Sequence, residues 1–301
     1  MKVVVTSRSF SENETLKKEL LSHFPIVKFN IEGLSLEGEK LISFVGDADA
    51  WIVGLEKVDQ SVLSRCKNLK IVSKYGVGLD NVNQDDCQKY GVKIGWKGGV
   101  NKLSVAEMTL GFMIGLSRNL YSSMVQHKGG VWNKNGGTQL SGKTVGIIGF
   151  GHIGKEVARL LNPFGCKVLI NDIEDMSLYC NHQIQIASKD QIYRESDIIS
   201  IHTPLTDTTR GIINSSTIGL MKPSAIIINT ARGPLVAQDD LKEALMNNRI
   251  HAAAIDVYED EPPSDIEFLN LLNLVCTPHI GGNSAEAVLA MGRSAIEQLV
   301  N

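Results

Sequence analysis

One stretch near the middle of the chain decides the fold: Val145-Gly146-Ile147-Ile148-Gly149-Phe150-Gly151-His152-Ile153-Gly154. An apolar run ends at the first of three spaced glycines, and an amphipathic segment follows the third. In the dinucleotide-binding turn these glycines allow the tight bend, the approach of a pyrophosphate and the packing of helix on strand. The helix N-terminus also offers unpaired N–H groups to an anion. We therefore predict a dinucleotide site at Gly149, Gly151, His152, Ile153 and Gly154.

The next predicted strand ends at Asp172. An acidic side chain at this place can accept hydrogen bonds from both ribose hydroxyls, and it repels a 2′-phosphate. The sequence therefore favours NAD over NADP, although a nearby lysine or arginine would reverse that preference.

Strand and helix patterns alternate on both sides of this stretch, which predicts an α/β chain with two parallel sheets. We expect two Rossmann-like or flavodoxin-like domains with a cleft between them. One domain would span residues 1–100 and be completed by a closing helix within 284–301, and the other would span residues 101–283. Strands are predicted at residues 3–6, 26–29, 51–53, 69–72 and 92–94, and at residues 144–148, 167–171, 184–186, 197–201, 225–229, 252–257 and 274–276.

Several helix ends can also be predicted. Ser11 with Glu14 matches a capping box that would open a helix toward His23. Asn83 can cap a helix that Gly91 ends. The apolar period from about residue 104 to about residue 120 predicts one long interdomain helix.

Composition bounds the function. The chain has 301 residues, 43% hydrophobic and 21% charged, with a net charge of −3, so neither a nucleic acid nor a membrane is an expected partner. The five cysteines are scattered without C-x-x-C spacing, which favours reduced thiols over disulfides or a metal site. The N-terminus has no signal-peptide pattern. We expect a cytoplasmic protein that binds no metal.

Three polar motifs follow predicted strands of the second domain. They carry Arg232, Glu261 and His279, in the segments Asn229-Thr230-Ala231-Arg232, Asp256-Val257-Tyr258-Glu259-Asp260-Glu261-Pro262 and Thr277-Pro278-His279-Ile280-Gly281. Ligands of open α/β sheets bind at the carboxyl ends of strands, so these groups can converge near a nicotinamide for acid–base chemistry on an anion. Glu259 and Asp260 are alternative acids.

The order of glycine fingerprint, arginine, glutamate and histidine resembles the D-2-hydroxyacid dehydrogenase family, which includes phosphoglycerate, glycerate and formate dehydrogenases. The resemblance covers almost the whole chain. Further similar segments are Tyr75-Gly76-Val77-Gly78-Leu79-Asp80-Asn81-Val82, Asn101 with Ser104-Val105-Ala106-Glu107, and His202-Thr203-Pro204-Leu205-Thr206.

The resemblance implies a role for each matching residue. His279 would be the general acid and base, Glu261, the acid directly before proline, would orient it, and Arg232 would grip the substrate carboxylate. The first domain would bind substrate through the backbone of Gly76, Val77 and Gly78, with Tyr75 and Gly54 beside them. The cofactor side would include His202, Thr203 and Pro204 near the adenosine, Asp256 near the carboxamide, and Thr230, Ala231 and Gly281. Homodimers that form through the cofactor domain are usual in the family.

One departure bears on the substrate. Phosphoglycerate dehydrogenases usually place an Arg-Ser pair after their third strand to contact the substrate phosphate, whereas this chain has Gly54-Leu55-Glu56-Lys57. A lysine at 57, 74 or 97 is the alternative source of charge. The chain ends one helix beyond His279, so we expect no C-terminal regulatory domain.

We expect an NAD-dependent oxidoreductase of a small D-2-hydroxy acid or 2-oxo acid, with 3-phosphoglycerate and phosphohydroxypyruvate as the favoured pair. Glycerate and hydroxypyruvate, or a phosphonopyruvate, are the alternatives. Formate is disfavoured because the formate enzymes carry glutamine where Glu261 stands. An NAD-sensing binding protein that resembles the family's transcriptional corepressors is the alternative of another class.

Overall fold

The computed structural model describes residues 1–300. The chain divides into two compact units, one made of residues 1–101 with the segment from residue 283 onward, and the other of residues 102–282. Within the described residues the strands form two parallel sheets, of five and seven strands. The predicted α/β class with two parallel sheets is confirmed.

The first unit is built on the five-stranded sheet. Its strands are β1 (Lys2–Val5), β2 (Ile26–Phe29), β3 (Ala50–Val53), β4 (Ile71–Lys74) and β5 (Lys93–Gly95), in the order β2-β1-β3-β4-β5. The helices between them are α1 (Arg8–Glu12), α2 (Glu14–His23), α3 (Gly38–Val45), α4 (Gln60–Leu63) and α5 (Gln84–Lys89). This strand order is the flavodoxin-like one. The order in which successive strands are added to the sheet reverses between β1 and β3, and such sheets bind ligands at this point.

The second unit carries the seven-stranded sheet. Its helices are α6 (Lys102–Ser117), α7 (Leu120–Lys128), α8 (His152–Leu161), α9 (Lys189–Glu195), α10 (Ser215–Ile218), α11 (Gln238–Met246) and α12 (Ile266–Leu269). Its strands are β6 (Thr144–Ile148), β7 (Lys167–Asn171), β8 (Ile184–Ile186), β9 (Ile198–Ile201), β10 (Ile226–Asn229), β11 (Ala252–Ile255) and β12 (Leu274–Cys276). The order β12-β11-β10-β9-β6-β7-β8 reverses between β6 and β9, as in Rossmann folds.

The closing helix α13 (Ala285–Val300) belongs to the first unit, where it packs on α2 and β4. Gly292 lies so close to Leu16 of α2 that a side chain there would overlap it. The hydroxyl of Ser73 donates a 2.8 Å hydrogen bond to the carbonyl of Ala295. These contacts bury the apolar face of the helix, and such packing supplies most of the stability of a helix in a protein.

Three local predictions need correction. The fourth strand is shifted by two residues from the predicted range 69–72. It is β4 (Ile71–Lys74), and it ends at the buried residue Lys74. Ser11 does not cap α2: it lies inside α1, its hydroxyl accepts the N–H of Asn30 at 3.0 Å, and Asn13 is the cap. The long helix ends at Ser117 and a second begins at Leu120, because Asn119 adopts left-handed φ of 53°. Capping of α5 by Asn83 is confirmed.

Candidate active site

The glycine turn after β6 has the backbone that a dinucleotide requires. Gly149 has φ of +93°, and a Cβ there would lie 2.5 Å from the carbonyl carbon of His202, the residue that follows β9. Gly154 packs against the Gly149 carbonyl with no space for a side chain, whereas a Cβ on Gly151 would meet nothing within 4 Å. The turn is therefore closely packed on its protein side and open at Gly151.

Helix α8 begins directly after this turn without a side-chain cap. His152 is its exposed first residue and Ile153 is half-buried. The first N–H groups of a helix have no partner inside it, and the helix dipole makes this end attractive to anions. An uncapped ten-residue helix behind an open glycine is the arrangement that receives a pyrophosphate.

Asp172 is half-buried just beyond β7 and holds the turn from the other side. Its Oδ2 accepts the Phe150 N–H at 2.5 Å and its Oδ1 accepts the Glu174 N–H at 3.1 Å. Each carboxylate oxygen keeps a lone pair for a ribose hydroxyl. The neighbouring Ile173 side chain is fully exposed.

The segment after β9 lies against the glycine turn. The Nε2 atom of His202 is 2.8 Å from the Ser200 hydroxyl, and its buried Nδ1 has no hydrogen-bond partner among the described residues. Burial lowers the pKa of His202 to about 3, so the ring is neutral at physiological pH. Thr203 follows, half-buried, and Pro204 is exposed.

Arg232 begins the loop after β10 and its backbone is held by Asn229. The Asn229 side chain donates to the Arg232 carbonyl at 2.8 Å and accepts the Ala231 N–H at 3.1 Å. The guanidinium Nη1 donates to the Ala231 carbonyl at 2.6 Å. The hydroxyl of Thr230 is 3.2 Å from that of Thr109 on α6, which fixes the loop to the helix.

The side chains of Glu261 and His279 form a hydrogen-bonded pair. The Nδ1 atom of His279 is 2.8 Å from Oε2 of Glu261, with the side chains 48% and 40% exposed. Because a carboxylate only accepts hydrogen bonds, Nδ1 is the donor. The other oxygen, Oε1, accepts the N–H of Tyr258 at 3.1 Å. The alternatives Glu259 and Asp260 are exposed.

The loop that carries His279 is anchored by hydrogen bonds to Asp256, which is 1% exposed. One oxygen, Oδ1, accepts the Thr277 hydroxyl at 2.6 Å and the Ile280 N–H at 2.8 Å, and Oδ2 accepts the Gly281 N–H at 2.7 Å. His279 itself has left-handed φ of 54°. The structure thus gives Asp256 a positioning role that sequence analysis did not foresee.

Tyr258 is a second residue whose role sequence analysis missed. Its hydroxyl donates to the Thr277 carbonyl at 3.0 Å while its N–H binds Glu261. The carbonyl of Tyr258 lies against Gly233, where no side chain would fit. One buried aromatic residue therefore joins the loops after β10, β11 and β12. The signal was its position three residues beyond the buried strand β11.

In the first unit, a turn with unpaired amides follows β4. Among residues 1–300, the N–H groups of Gly76, Val77 and Gly78 donate no hydrogen bond. Gly76 has φ of +125°, and the Val77 carbonyl accepts the Trp96 indole N–H at 2.9 Å. Tyr75 is buried, with its hydroxyl 3.0 Å from that of Ser9. Successive unpaired amides form a nest for an anion.

Comparison with known proteins identifies the family. The model of the D-isomer specific 2-hydroxyacid dehydrogenase NAD-binding domain matches residues 110–281. The hydroxypyruvate reductase of Thermotoga maritima is 37% identical over 270 residues, which cover 88% of each chain. The chain belongs to the D-2-hydroxyacid dehydrogenase family.

Two other relatives place this dehydrogenase within the family. D-3-phosphoglycerate dehydrogenase from Methanocaldococcus jannaschii is 36% identical over 274 residues, which cover 88% of this chain and 51% of that protein. D-Lactate dehydrogenase from Aquifex aeolicus, crystallised with NAD and lactic acid, superposes with a TM-score of 0.86 at 25% identity, covering 99% of this chain and 94% of that one. The chain spans about half the length of the phosphoglycerate dehydrogenase.

The cofactor of this dehydrogenase is NAD, and the second unit fits it. The uncapped start of α8 and the open side of Gly151 suit the pyrophosphate, and Asp172 suits the ribose. No helix within residues 1–300 has the length and apolar character of a membrane crossing. In the same residues, His, Cys, Asp and Glu side chains form no group of three or more suited to a metal ion.

Proposed function

We propose that this dehydrogenase interconverts a short, non-phosphorylated 2-oxo acid and its D-2-hydroxy acid, with hydroxypyruvate and D-glycerate as the preferred pair. The hydrogen-bonded pair of His279 and Glu261 carries the proposal, since it supplies the proton that carbonyl reduction needs. NADH, when bound, supplies the hydride.

His279 is proposed to protonate the C2 oxygen through Nε2 during reduction and to take that proton back during oxidation. The bond from Nδ1 to Glu261 selects the tautomer and stabilises the imidazolium. The Tyr258 N–H on the second carboxylate oxygen keeps Glu261 in place. Together the two side chains can store one proton beside the reacting carbon.

Arg232 is proposed to bind the substrate carboxylate and polarise the C2 oxygen. A guanidinium presents a planar fork of donors that matches a carboxylate. Within the first unit, the unpaired amides of Gly76, Val77 and Gly78 are proposed to bind an anionic group of a ligand. Such donors act without reorganisation because the backbone already holds them in place.

The choice of a non-phosphorylated substrate departs from the pair that the sequence favoured. Lys57 forms an ion pair with Asp59 at 2.9 Å, and Lys97 lies 3.8 Å from Glu297. Lys74 is buried and donates to the Gly54 carbonyl and to Asn81. Each candidate for the missing positive charge therefore has an internal partner. The match to a hydroxypyruvate reductase over 88% of both chains supports the same choice.

The experiment is a panel of 2-oxo acids followed by NADH absorbance with the purified chain. Hydroxypyruvate should give the highest kcat/KM, with glyoxylate, pyruvate and phosphohydroxypyruvate below it. A higher kcat/KM for phosphohydroxypyruvate would reinstate the phosphoglycerate assignment. Absence of turnover with every acid would favour an NAD-sensing binding protein.

A homodimer and a cytoplasmic location are further parts of the proposal. Helix α7 and the segment after it expose apolar side chains, and Leu120, Met124, Val125, Val131 and Trp132 are each more than half exposed. We infer that these exposed apolar side chains contribute to a protein interface. Light scattering of the purified chain measures the dimer directly.

A further inference from the structure

The segment after β3 folds back on itself, and its own glutamate occupies its amide. Oε2 of Glu56 accepts the Gly54 N–H at 2.9 Å and the Thr6 hydroxyl at 2.8 Å. Thr6 in turn accepts the indole N–H of Trp51 at 2.8 Å, and both residues are fully buried. The carboxylate of Glu56 is therefore fixed by a rigid part of the core.

The buried ammonium group of Lys74 also binds this segment. Lys74, at the end of β4, is 5% exposed, and its Nζ donates to the Gly54 carbonyl and, at 2.6 Å, to Oδ1 of Asn81. The Asn81 amide donates to the Glu56 carbonyl at 2.6 Å. Gly54 thus lies between a carboxylate on its N–H and an ammonium on its carbonyl.

The free side of this arrangement is the second oxygen of Glu56. Oε1 accepts no hydrogen bond among residues 1–300, and Glu56 is half-buried whereas Lys74 is buried. A donor that reaches Oε1 would therefore find an acceptor oxygen of a carboxylate. A Cβ on Gly54 would make a tight contact, 3.1 Å from Cβ of Ser7.

The position in the sheet is where a ligand is expected. The strand order of the first unit reverses between β1 and β3, and the crevice outside the carboxyl ends of those strands is the usual binding place. Thr6 follows β1 and Gly54 follows β3. The unpaired amides of Gly76–Gly78 follow β4, the neighbour of β3, and Lys74 and Asn81 join the two loops.

We infer that Glu56 determines substrate specificity: it accepts a hydrogen bond from a neutral donor on C3 of the 2-oxo acid, such as a hydroxyl, and it repels a phosphate there. The inference rests on the proposed function. A hydroxyl can donate to Oε1, whereas a phosphate carries a charge of about −1.5 to −2 at neutral pH and offers acceptor oxygens. Two acceptors of like charge cannot share a hydrogen bond.

The test compares Glu56→Gln with the wild-type chain, using hydroxypyruvate, phosphohydroxypyruvate and pyruvate as substrates and NADH absorbance as readout. Glutamine keeps the size and an acceptor oxygen while it removes the charge. We expect the ratio of kcat/KM for phosphohydroxypyruvate to that for hydroxypyruvate to rise at least tenfold, chiefly through KM. Glu37→Gln removes an exposed carboxylate that makes no cap hydrogen bond, and it should leave the ratio unchanged.

A second measurement needs no variant. D-Glycerate should inhibit hydroxypyruvate reduction by the wild-type chain at a concentration at least tenfold lower than 3-phosphoglycerate does. Equal inhibition, or a folded Glu56→Gln variant whose ratio stays within twofold of wild type, would overturn the role of Glu56 while leaving the reductase activity in place. A wild-type chain that reduces no 2-oxo acid would overturn the proposed function first, and the inference with it.

Discussion

The buried carboxylate of Asp256 accepts the N–H of Gly281 at 2.7 Å, so the loop bearing the candidate acid–base histidine is anchored two residues beyond it. The same carboxylate accepts the Ile280 N–H and the Thr277 hydroxyl on its other oxygen. Hydrogen bonds to a charged acceptor are about twice as strong as neutral ones. His279 is therefore held from both sides in its left-handed conformation.

Asp256→Asn tests this anchoring. The amide would turn a donor toward at least one N–H group, and the loop would lose a charged acceptor. We expect the free energy of unfolding to fall by about 2 kcal/mol or more, with a fall in kcat, in urea unfolding and steady-state assays. Asp260→Asn, at an exposed acid nearby, should change neither quantity. Unchanged stability in Asp256→Asn would remove the anchoring role.

Gly149 and Gly151, two of the three glycines of the turn, should behave in opposite ways. Gly149→Ala places a side chain at φ of +93° and against the His202 backbone. The free energy of unfolding should therefore be lower than that of wild type by at least about 2 kcal/mol. Gly151→Ala meets no atom within 4 Å and should leave stability within about 0.5 kcal/mol, yet the methyl group would weaken NADH binding at least tenfold. Normal NADH binding by Gly151→Ala would place the pyrophosphate elsewhere.

Asp172 should set the cofactor preference. Asp172→Asn keeps an oxygen for the Phe150 N–H but removes the charge that repels a 2′-phosphate. We expect KM for NADH to rise several-fold and KM for NADPH to fall or stay the same. Asp175→Asn, whose carboxylate accepts only local contacts such as the Ser177 N–H, is the matched control. Equal changes for both cofactors would contradict the role of Asp172.

His202 makes a prediction about pH. Burial lowers the pKa of His202 to about 3, against about 6.5 in an unfolded chain, so the unfolded state binds more protons between these values. The contribution of His202 to the free energy of unfolding is fully present above about pH 6.5. It falls by at most about 1.4 kcal/mol per pH unit as the pH decreases toward 3.

The measurement is urea unfolding of the cofactor-free chain at pH 7 and pH 5, for wild type and His202→Gln. Wild type should lose more stability than the variant, by at most about 2 kcal/mol. Parallel losses in the two proteins would show that the ring is not kept neutral by burial.

The parallel-sheet class and the candidate site could be predicted because both depend on short-range signals. The glycine spacing before α8 indicates a turn. The loops that carry Arg232, Glu261 and His279 follow three parallel strands, so they begin at one edge of the sheet. The positions of the strands could be predicted because buried parallel strands are continuous apolar runs in the sequence.

The errors lie where distant residues override local preference. Lys74 is a strand residue because the Gly54 carbonyl and Asn81 solvate its charge, and no local pattern shows that. Ser11 has the spacing of a cap, but the Asn30 N–H occupies its hydroxyl. The roles of Asp256 and Glu56 were missed for the same reason, since each depends on loops that are far apart in the sequence.

The proton-transfer role of His279 is the central claim, and a single-turnover measurement with His279→Ala tests it most directly. NADH and hydroxypyruvate are mixed with excess enzyme, and NADH absorbance gives the rate of the chemical step while NADH fluorescence gives Kd. We predict a rate about 10²- to 10⁴-fold below wild type and a Kd for NADH within threefold. A variant that keeps more than a tenth of the wild-type rate would contradict the account.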